Sequence, residues 1–361
     1  MIASRARLRP ALTALLTATV AACGGGGDRP GGAAAATSLT GAGATFPYPL
    51  YSRWFDSYRT ATGVAINYQS IGSGGGIRQF SEGTVDFGAT DGPMNDEQIA
   101  ALQGNVAHLP TAIGAVVLTY NLPALGTTPL VLDGAAVADI FLGRITRWDD
   151  ARLAALNPGV RLPAAEVVVV HRSDGSGTTF VFVDYLSKVS PDWRAQVGRA
   201  TSVNWPVGLG GKGNEGVTQQ VRQLEGAIGY VELIYATSNQ LQYATMTNRS
   251  GTPVVPSLAS STAAAAGAEF AAETDFRVSI TDSPDPAAYP IASFTWLLVK
   301  TDNPDPAKGR SIRDFLRWMV GPEAQGVATE LGYAPLPPRV AELVTARIAT
   351  LAGGGAPIPN R

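Results

Sequence analysis

A single cysteine and only two histidines, His108 and His171, stand in the 361 residues of this chain. Without a second cysteine to pair with Cys23 there is no internal disulfide, and without a Cys/His cluster no metal site is expected. An excess of basic residues is also missing, since 27 Lys and Arg face 29 Asp and Glu. A chain without a basic face cannot grip nucleic-acid phosphates, so no nucleic-acid partner is expected. Beyond the N-terminal stretch no apolar run is long enough to cross a bilayer. The nucleotide loop G-x-x-x-x-G-K-[ST] is absent, and Gly41-Ala42-Gly43 meets Phe46 where a dinucleotide fingerprint wants a third small residue. What the chain does have is core material: 45% hydrophobic against 16% charged residues suffices for two cored domains.

The first 22 residues carry Arg5, Arg7 and Arg9 and then an apolar run from Ala11 to Ala22, the pattern of a signal peptide. Val20-Ala21-Ala22-Cys23 ends that run and resembles the bacterial lipobox, in which Cys23 is lipidated and becomes the first mature residue. The alternative is an ordinary cleavage site with an incidental cysteine. Lipidation would hold the protein at a membrane surface without spanning it. Residues 23–37, Gly/Ala-rich, read as a tether with nothing to bury.

From Ser38 on, short β-rich runs alternate with amphipathic stretches, as α/β units do. Strands are expected at Val64 to Gln69, Val85 to Ala89, Gly114 to Tyr120, Glu166 to His171, Ala227 to Val231 and Ser293 to Val299. Helical faces show in Ile312, Phe315, Leu316 and Met319, and again in Val340, Leu343, Val344 and Ile348. The Ala-rich stretch Ser260 to Glu273 is a further expected helix. Pro110 and Pro290 each precede a β-rich run, either as unrelated strand starts or as two crossings between domains.

Three turns share one property, small residues leading into a helical run. They are Gly41-Ala42-Gly43-Ala44-Thr45-Phe46, Gly72-Ser73-Gly74-Gly75-Gly76 and Asp174-Gly175-Ser176-Gly177-Thr178. Such turns let a ligand reach unpaired N–H groups at a helix start, where the helix dipole favours an anion. The ligand expected is a small bare anion. Arg172, beside the third turn, offers a guanidinium fork for an oxyanion, or else a surface ion pair. Asp91, in Thr90-Asp91-Gly92-Pro93, is either a turn residue or an acceptor for a proton that phosphate carries and sulfate lacks.

Leu39-Thr40-Gly41-Ala42-Gly43-Ala44-Thr45-Phe46-Pro47, Ile71-Gly72-Ser73-Gly74-Gly75, Thr84-Val85-Asp86-Phe87-Gly88-Ala89-Thr90-Asp91 and Arg172-Ser173-Asp174-Gly175-Ser176-Gly177-Thr178 resemble the PstS family of periplasmic phosphate-binding proteins, which serve a phosphate ABC transporter. The resemblance implies a two-lobed periplasmic-binding-protein fold, each lobe a mixed sheet flanked by helices, with a two-segment hinge. Lobe I would comprise 38–112 and 290–361, and lobe II 113–289. It implies phosphate contacts at Thr45, Phe46, Ser73, Asp91, Arg172, Ser176, Gly177 and Thr178, with Asp174 orienting Arg172. The partners implied are inorganic phosphate and a membrane permease, with no cofactor and a monomeric chain. His171 stands where many members have a second arginine, and either tunes the site or faces away from it. Lys212-Gly213-Asn214-Glu215 could pass for a second anion loop but is taken as structural.

Two other classes compete. A phosphate-ester hydrolase would use Ser176 as nucleophile with His171 or Asp174 as base, but the G-x-S-x-G elbow is missing. An envelope lipoprotein that contacts another protein could retain the fold without the affinity. No catalysis is expected.

Overall fold

The structure, a computed structural model, describes residues 35–270 and 274–358. The expected signal peptide, Cys23 and the tether as far as residue 34 lie outside the described residues. The main sheet has nine strands: β1 (Ser38–Gly43), β2 (Ala65–Ser70), β3 (Phe87–Thr90), β4 (Ala107–Tyr120), β5 (Val168–Arg172), β6 (Leu209–Gly211), β7 (Ala227–Glu232), β8 (Gln242–Tyr243) and β9 (Ala292–Val299). Their order is β2-β1-β3-β9-β4-β7-β5-β6, with β8 also on β4. Strands β1 to β3 run parallel, as do β5 to β7, while β4 and β9 are antiparallel to their neighbours. This is a mixed α/β architecture, and the six expected strands all form, with ends shifted by a few residues.

Eight helices frame the site and the core: α1 (Tyr48–Thr62), α2 (Ser73–Ser81), α3 (Gly177–Val189), α4 (Gly213–Gln223), α5 (Leu233–Ser238), α6 (Leu258–Ala266), α7 (Pro306–Met319) and α8 (Pro338–Ala349). In α1 the residues Leu50, Tyr51, Trp54, Phe55 and Tyr58 fall on one face and are buried. It ends at Gly63, whose φ of 78° lets its N–H return to the Arg59 carbonyl. Asp305 caps α7 by accepting from the N–H groups of Ala307 and Lys308, and the expected face Ile312, Phe315, Leu316 and Met319 is buried. On α8, Val340, Val344 and Ile348 are buried and Leu343 is half-buried. The helix expected from Ser260 starts earlier, at Leu258, behind a capping box made by Ser257 and Ser260, and it stops at Ala266.

The strand expected from Gly114 is the second half of a longer one, since β4 runs 14 residues and every one of them is buried. Pro110 therefore lies inside a strand rather than before one. Proline has no N–H for a ladder, and it is accommodated here by a bulge, where the pairing with β9 shifts between Thr295 and Trp296 and leaves Thr111 as the extra residue. Residues Ala107 to Ala115 of β4 pair with β9, and Val116 to Tyr120 pair with β7. From Ala35 onward the chain packs as one compact unit.

Candidate functional site

The ends of β1, β2 and β3 meet through backbone bonds: the N–H groups of Ile71 and Gly72 donate to the Gly43 carbonyl at 3.0 and 2.9 Å, and that of Ala44 donates to the Ala89 carbonyl at 2.9 Å. Gly43, at φ 146°, has no room for a side chain, because a Cβ there would run into the Ala89 backbone. All three loops that follow these strands are thereby drawn together. They bring Thr45, Ser73 and Asp91 into one place, each at most 3% exposed.

Arg172 and the third turn come from the other half of the sheet, at the end of β5. The two turns touch where the Gly74 N–H donates to the Gly175 carbonyl at 2.9 Å. At Gly72 a Cβ would collide with Asp174 and with the Gly175 carbonyl, so glycine is what permits the approach. The Arg172 guanidinium is buried and forked onto Asp174, with Nε to Oδ1 at 2.8 Å and Nη2 to Oδ2 at 2.5 Å, while Nη1 donates to Thr178 Oγ1 at 3.2 Å. Burial pushes the Asp174 carboxyl up, but the bonds and charge of Arg172 outweigh it and hold Asp174 below its ordinary pKa. Ser176 caps α3 by accepting from the Thr179 N–H at 2.9 Å. The first N–H groups of α3, at Gly177 and Thr178, have no partner within the helix.

Asp91 faces this helix start. Its Oδ1 accepts from Thr295 Oγ1 at 2.7 Å and its own N–H donates to Ser73 Oγ at 3.2 Å, but the buried Oδ2 has no hydrogen-bond partner. A Cβ on Gly177 would come within 2.6 Å of that Oδ2. Burial pushes the Asp91 carboxyl up to about 7, against the opposing bonds from Thr295 and Ser73 and the charge of Arg172. The β4 bulge supports this geometry: Thr111 Oγ1 donates to the Thr295 carbonyl at 3.2 Å and pairs with the Tyr51 hydroxyl at 3.0 Å. A neighbourhood of buried hydroxyls, helix N–H groups and one guanidinium, with the unsatisfied Asp91 Oδ2 facing the helix start, suits an oxyanion that brings its own proton.

Four residues join the site: Asn214, whose segment reads as structural from the sequence, and Thr295, Tyr235 and Tyr333, which the sequence does not single out. Asn214, fully buried at the start of α4, donates through Nδ2 to Thr45 Oγ1 at 2.7 Å and to Thr178 Oγ1 at 3.1 Å. Thr295 holds Asp91. Tyr235 and Tyr333 donate to the carbonyls of Thr45 and Phe46, each at 2.6 Å, and so fix the first turn. The Asn214 segment had a signal, a glycine followed by small polar residues before a helix, like the other three turns. Glu232, at the end of β7, is buried as well, and burial pushes its carboxyl up to about 8 against the Ile234 N–H and the Tyr333 hydroxyl.

The histidines stand apart. His171 stacks on Trp205 at 4.8 Å and its Nδ1 lies 3.0 Å from the Arg172 carbonyl. His108 pairs with Asp275 at 2.8 Å and accepts from the Met94 N–H at 3.1 Å. Ser176 therefore has no imidazole, and both oxygens of Asp174 are occupied by Arg172. Among the described residues no group of His, Cys, Asp and Glu could hold a metal ion, and no helix is long and apolar enough to cross a membrane.

The model of the PBP superfamily domain matches residues 29–323. The phosphate-binding protein PstS of Xylella fastidiosa strain 9a5c is 46% identical over 311 residues, covering 86% of this chain and 85% of that one. PstS of Pasteurella multocida is 44% identical over 312 residues, with 86% and 90% covered. The crystal structure of a phosphate-binding protein from Stenotrophomonas maltophilia has the same fold at 19% identity, with a TM-score of 0.65 over 86% of this chain and 94% of that one. These relatives are named as binding proteins, not as catalysts, in keeping with a site that has no nucleophile and base in contact. With identity of this extent over most of its length, the chain belongs to the PstS family of phosphate-binding proteins within the PBP superfamily.

Proposed function

We propose that this chain binds inorganic phosphate through Thr45, Phe46, Ser73, Asp91, Arg172, Ser176, Gly177 and Thr178, and passes it unchanged to the permease of a phosphate ABC transporter. The observation that carries this is the unpartnered, buried Oδ2 of Asp91 facing the start of α3. A buried polar atom without a partner costs about 1–3 kcal/mol, and a ligand hydroxyl would recover that cost. Phosphate at neutral pH has such a hydroxyl and sulfate does not. Discrimination against sulfate on the order of 10⁴ is what a site built around one hydrogen bond can reach. Trp205 stacks on His171, the residue before Arg172, and titration with phosphate should give a saturable change in tryptophan fluorescence. No response, or an equal response to sulfate, would overturn the assignment.

Ligand capture would use a clamp, with lobe I formed by 38–112 and 290–361 and lobe II by 113–289. In support, β4 changes partner between Ala115 and Val116, and the Val116 N–H donates to the Ile291 carbonyl at 2.8 Å, so the two chain crossings run side by side. Thr45, Ser73 and Asp91 precede the first crossing, and Arg172, Ser176 and Thr178 follow it. The N-terminal pattern adds export, with a monomeric protein held at the periplasmic or cell surface through lipidated Cys23. Mass spectrometry of the mature N-terminus should find a diacylglycerol-bearing Cys23; an unmodified terminus would remove the anchor.

A further inference from the structure

We infer that the segment from Asp275 to Thr281 is a latch which ties the loop carrying Asp91 to helix α3 outside the site, with Arg277 as its positioning residue, and thereby sets how fast bound phosphate leaves. This rests on the two-lobe phosphate reading above and goes beyond it, because no residue of the segment is among the proposed ligand contacts.

One end of the segment is fastened to α3. Ser279 Oγ and Thr281 Oγ1 both donate to Asp184 Oδ2 at 2.7 Å, and Lys188 Nζ, one helical turn on, donates to Ser279 Oγ at 2.7 Å and to the Thr281 carbonyl at 3.0 Å. Asp184 is buried, and its other oxygen accepts from Arg199 Nη1 at 2.5 Å, so both carboxylate oxygens are in use. The other end clasps Met94, three positions after Asp91. Arg277 Nη1 donates to the Met94 carbonyl at 3.2 Å and to Asp96 Oδ1 at 2.8 Å. The Met94 N–H donates to His108 Nε2 at 3.1 Å, which places the imidazole proton on Nδ1, and Nδ1 donates to Asp275 Oδ2 at 2.8 Å. Both backbone groups of Met94 are thus held by one segment, directly or through one imidazole.

The two ends differ in how readily they let go. Asp275 and Phe276 are consecutive non-glycine residues in left-handed backbone, at φ 47° and 59°, a conformation that side chains disfavour and that surrounding contacts must hold. The His108 N–H donates to Asp275 Oδ2 at 3.0 Å and Trp296 Nε1 donates to the Phe276 carbonyl at 3.0 Å. In the proposed division His108, Trp296, Met94 and Asp96 belong to lobe I, whereas Asp184 and Lys188 belong to lobe II. Parting of the lobes would therefore pull on Arg277 and the strained pair before it pulls on the buried Asp184. A cavity of about 500 Å³ borders the segment, and its wall includes Asp91, Phe180, Arg277, Ser279 and Trp296. Space that reaches the site thus lies against the latch, and release of Arg277 would widen it.

The test follows the full chain loaded with radiolabelled inorganic phosphate as the label is released into excess unlabelled phosphate, with the equilibrium Kd measured by calorimetry. Arg277→Ala should release phosphate about tenfold faster and raise Kd by the same factor, so that the association rate stays within twofold of wild type. Asp96→Asn alters an exposed side chain and leaves the Met94 bond in place, so it should speed release about threefold. It also serves if the alanine variant does not fold. The double variant should be no faster than Arg277→Ala alone, because both changes remove one tie. Release within twofold of wild type in Arg277→Ala, or effects that multiply in the double variant, would overturn the latch. A wild-type protein that binds no phosphate would overturn the functional reading first, and this one with it.

Discussion

At the scale of single residues, Asp91 is the most consequential group, because it is buried, half-satisfied and able to exist in either protonation state. In its proposed role the carboxylate would accept from phosphate and repel sulfate, whereas the protonated form would donate to sulfate. Asp91→Asn should therefore narrow the ratio of sulfate to phosphate Kd by at least tenfold, since an amide can donate to a sulfate oxygen; parallel titrations with the two anions check this. A second outcome concerns stability without ligand. The carboxyls of Asp91 and Glu232 rise from 3.8 to about 7 and from 4.5 to about 8. Between those limits the folded protein keeps protons that the unfolded chain has released, so stability falls as pH rises from about 4 to about 8. The slope is at most about 1.4 kcal/mol per pH unit for each group. Denaturant midpoints across this window should decline in wild type and decline less in Glu232→Gln, which mimics the protonated acid. A pH-independent difference between the two would mean that Glu232 is ionised throughout.

Elements explain why part of this site could be read from the chain and part could not. A turn of small residues before an amphipathic run is a local pattern, so the loops after β1 and β2 and the start of α3 were visible, and Arg172 and Asp91 stood beside them. Asn214 was visible as a residue but not as a participant, since its partners Thr45 and Thr178 lie 169 and 36 positions away. Thr295 looked like any threonine in a strand, and only the pairing of β9 with β3 and the bulge at Thr111 turn it toward Asp91. Pro110 read as a strand start because a bulge that accommodates it inside β4 leaves no mark in the sequence. The start of α3 offers its own test. Gly177→Ala would press a methyl group toward Asp91 Oδ2 and Ser73, in the space a ligand must enter. Phosphate binding should fall by two orders of magnitude or more, and the melting temperature without phosphate should fall as well, because the methyl also meets the Asp91 backbone nitrogen. Ser176→Ala, in contrast, removes a helix cap and should destabilise the fold by about 1 kcal/mol, read from chemical denaturation, besides weakening binding.

For the molecule as a whole, the proposed two-lobe division makes the contacts described those of a closed clamp. The Gly74 N–H reaches the Gly175 carbonyl, Asn214 reaches Thr45, and Tyr235 on α5 reaches the Thr45 carbonyl, all across the boundary between the two proposed lobes. Only two strand crossings, at β4 and at the entry to β9, join the lobes covalently near the site, and a rotation about them would break few backbone pairs. Without phosphate, closure leaves Asp91 Oδ2 unpaired and gathers donors that have no acceptor. In the proposed function, phosphate would satisfy them in that same closed form. A ligand shifts such an equilibrium only by its differential affinity for the two states, and the proposed contacts, drawn from both lobes, would supply that difference. Small-angle scattering should therefore give a smaller radius of gyration with saturating phosphate than without it, and Gly72→Val, whose side chain would meet Asp174 and Gly175, should keep the larger value in both conditions. An identical radius with and without phosphate, in a protein that binds it, would mean that the lobes are already closed and that the ligand enters by local opening of the turns.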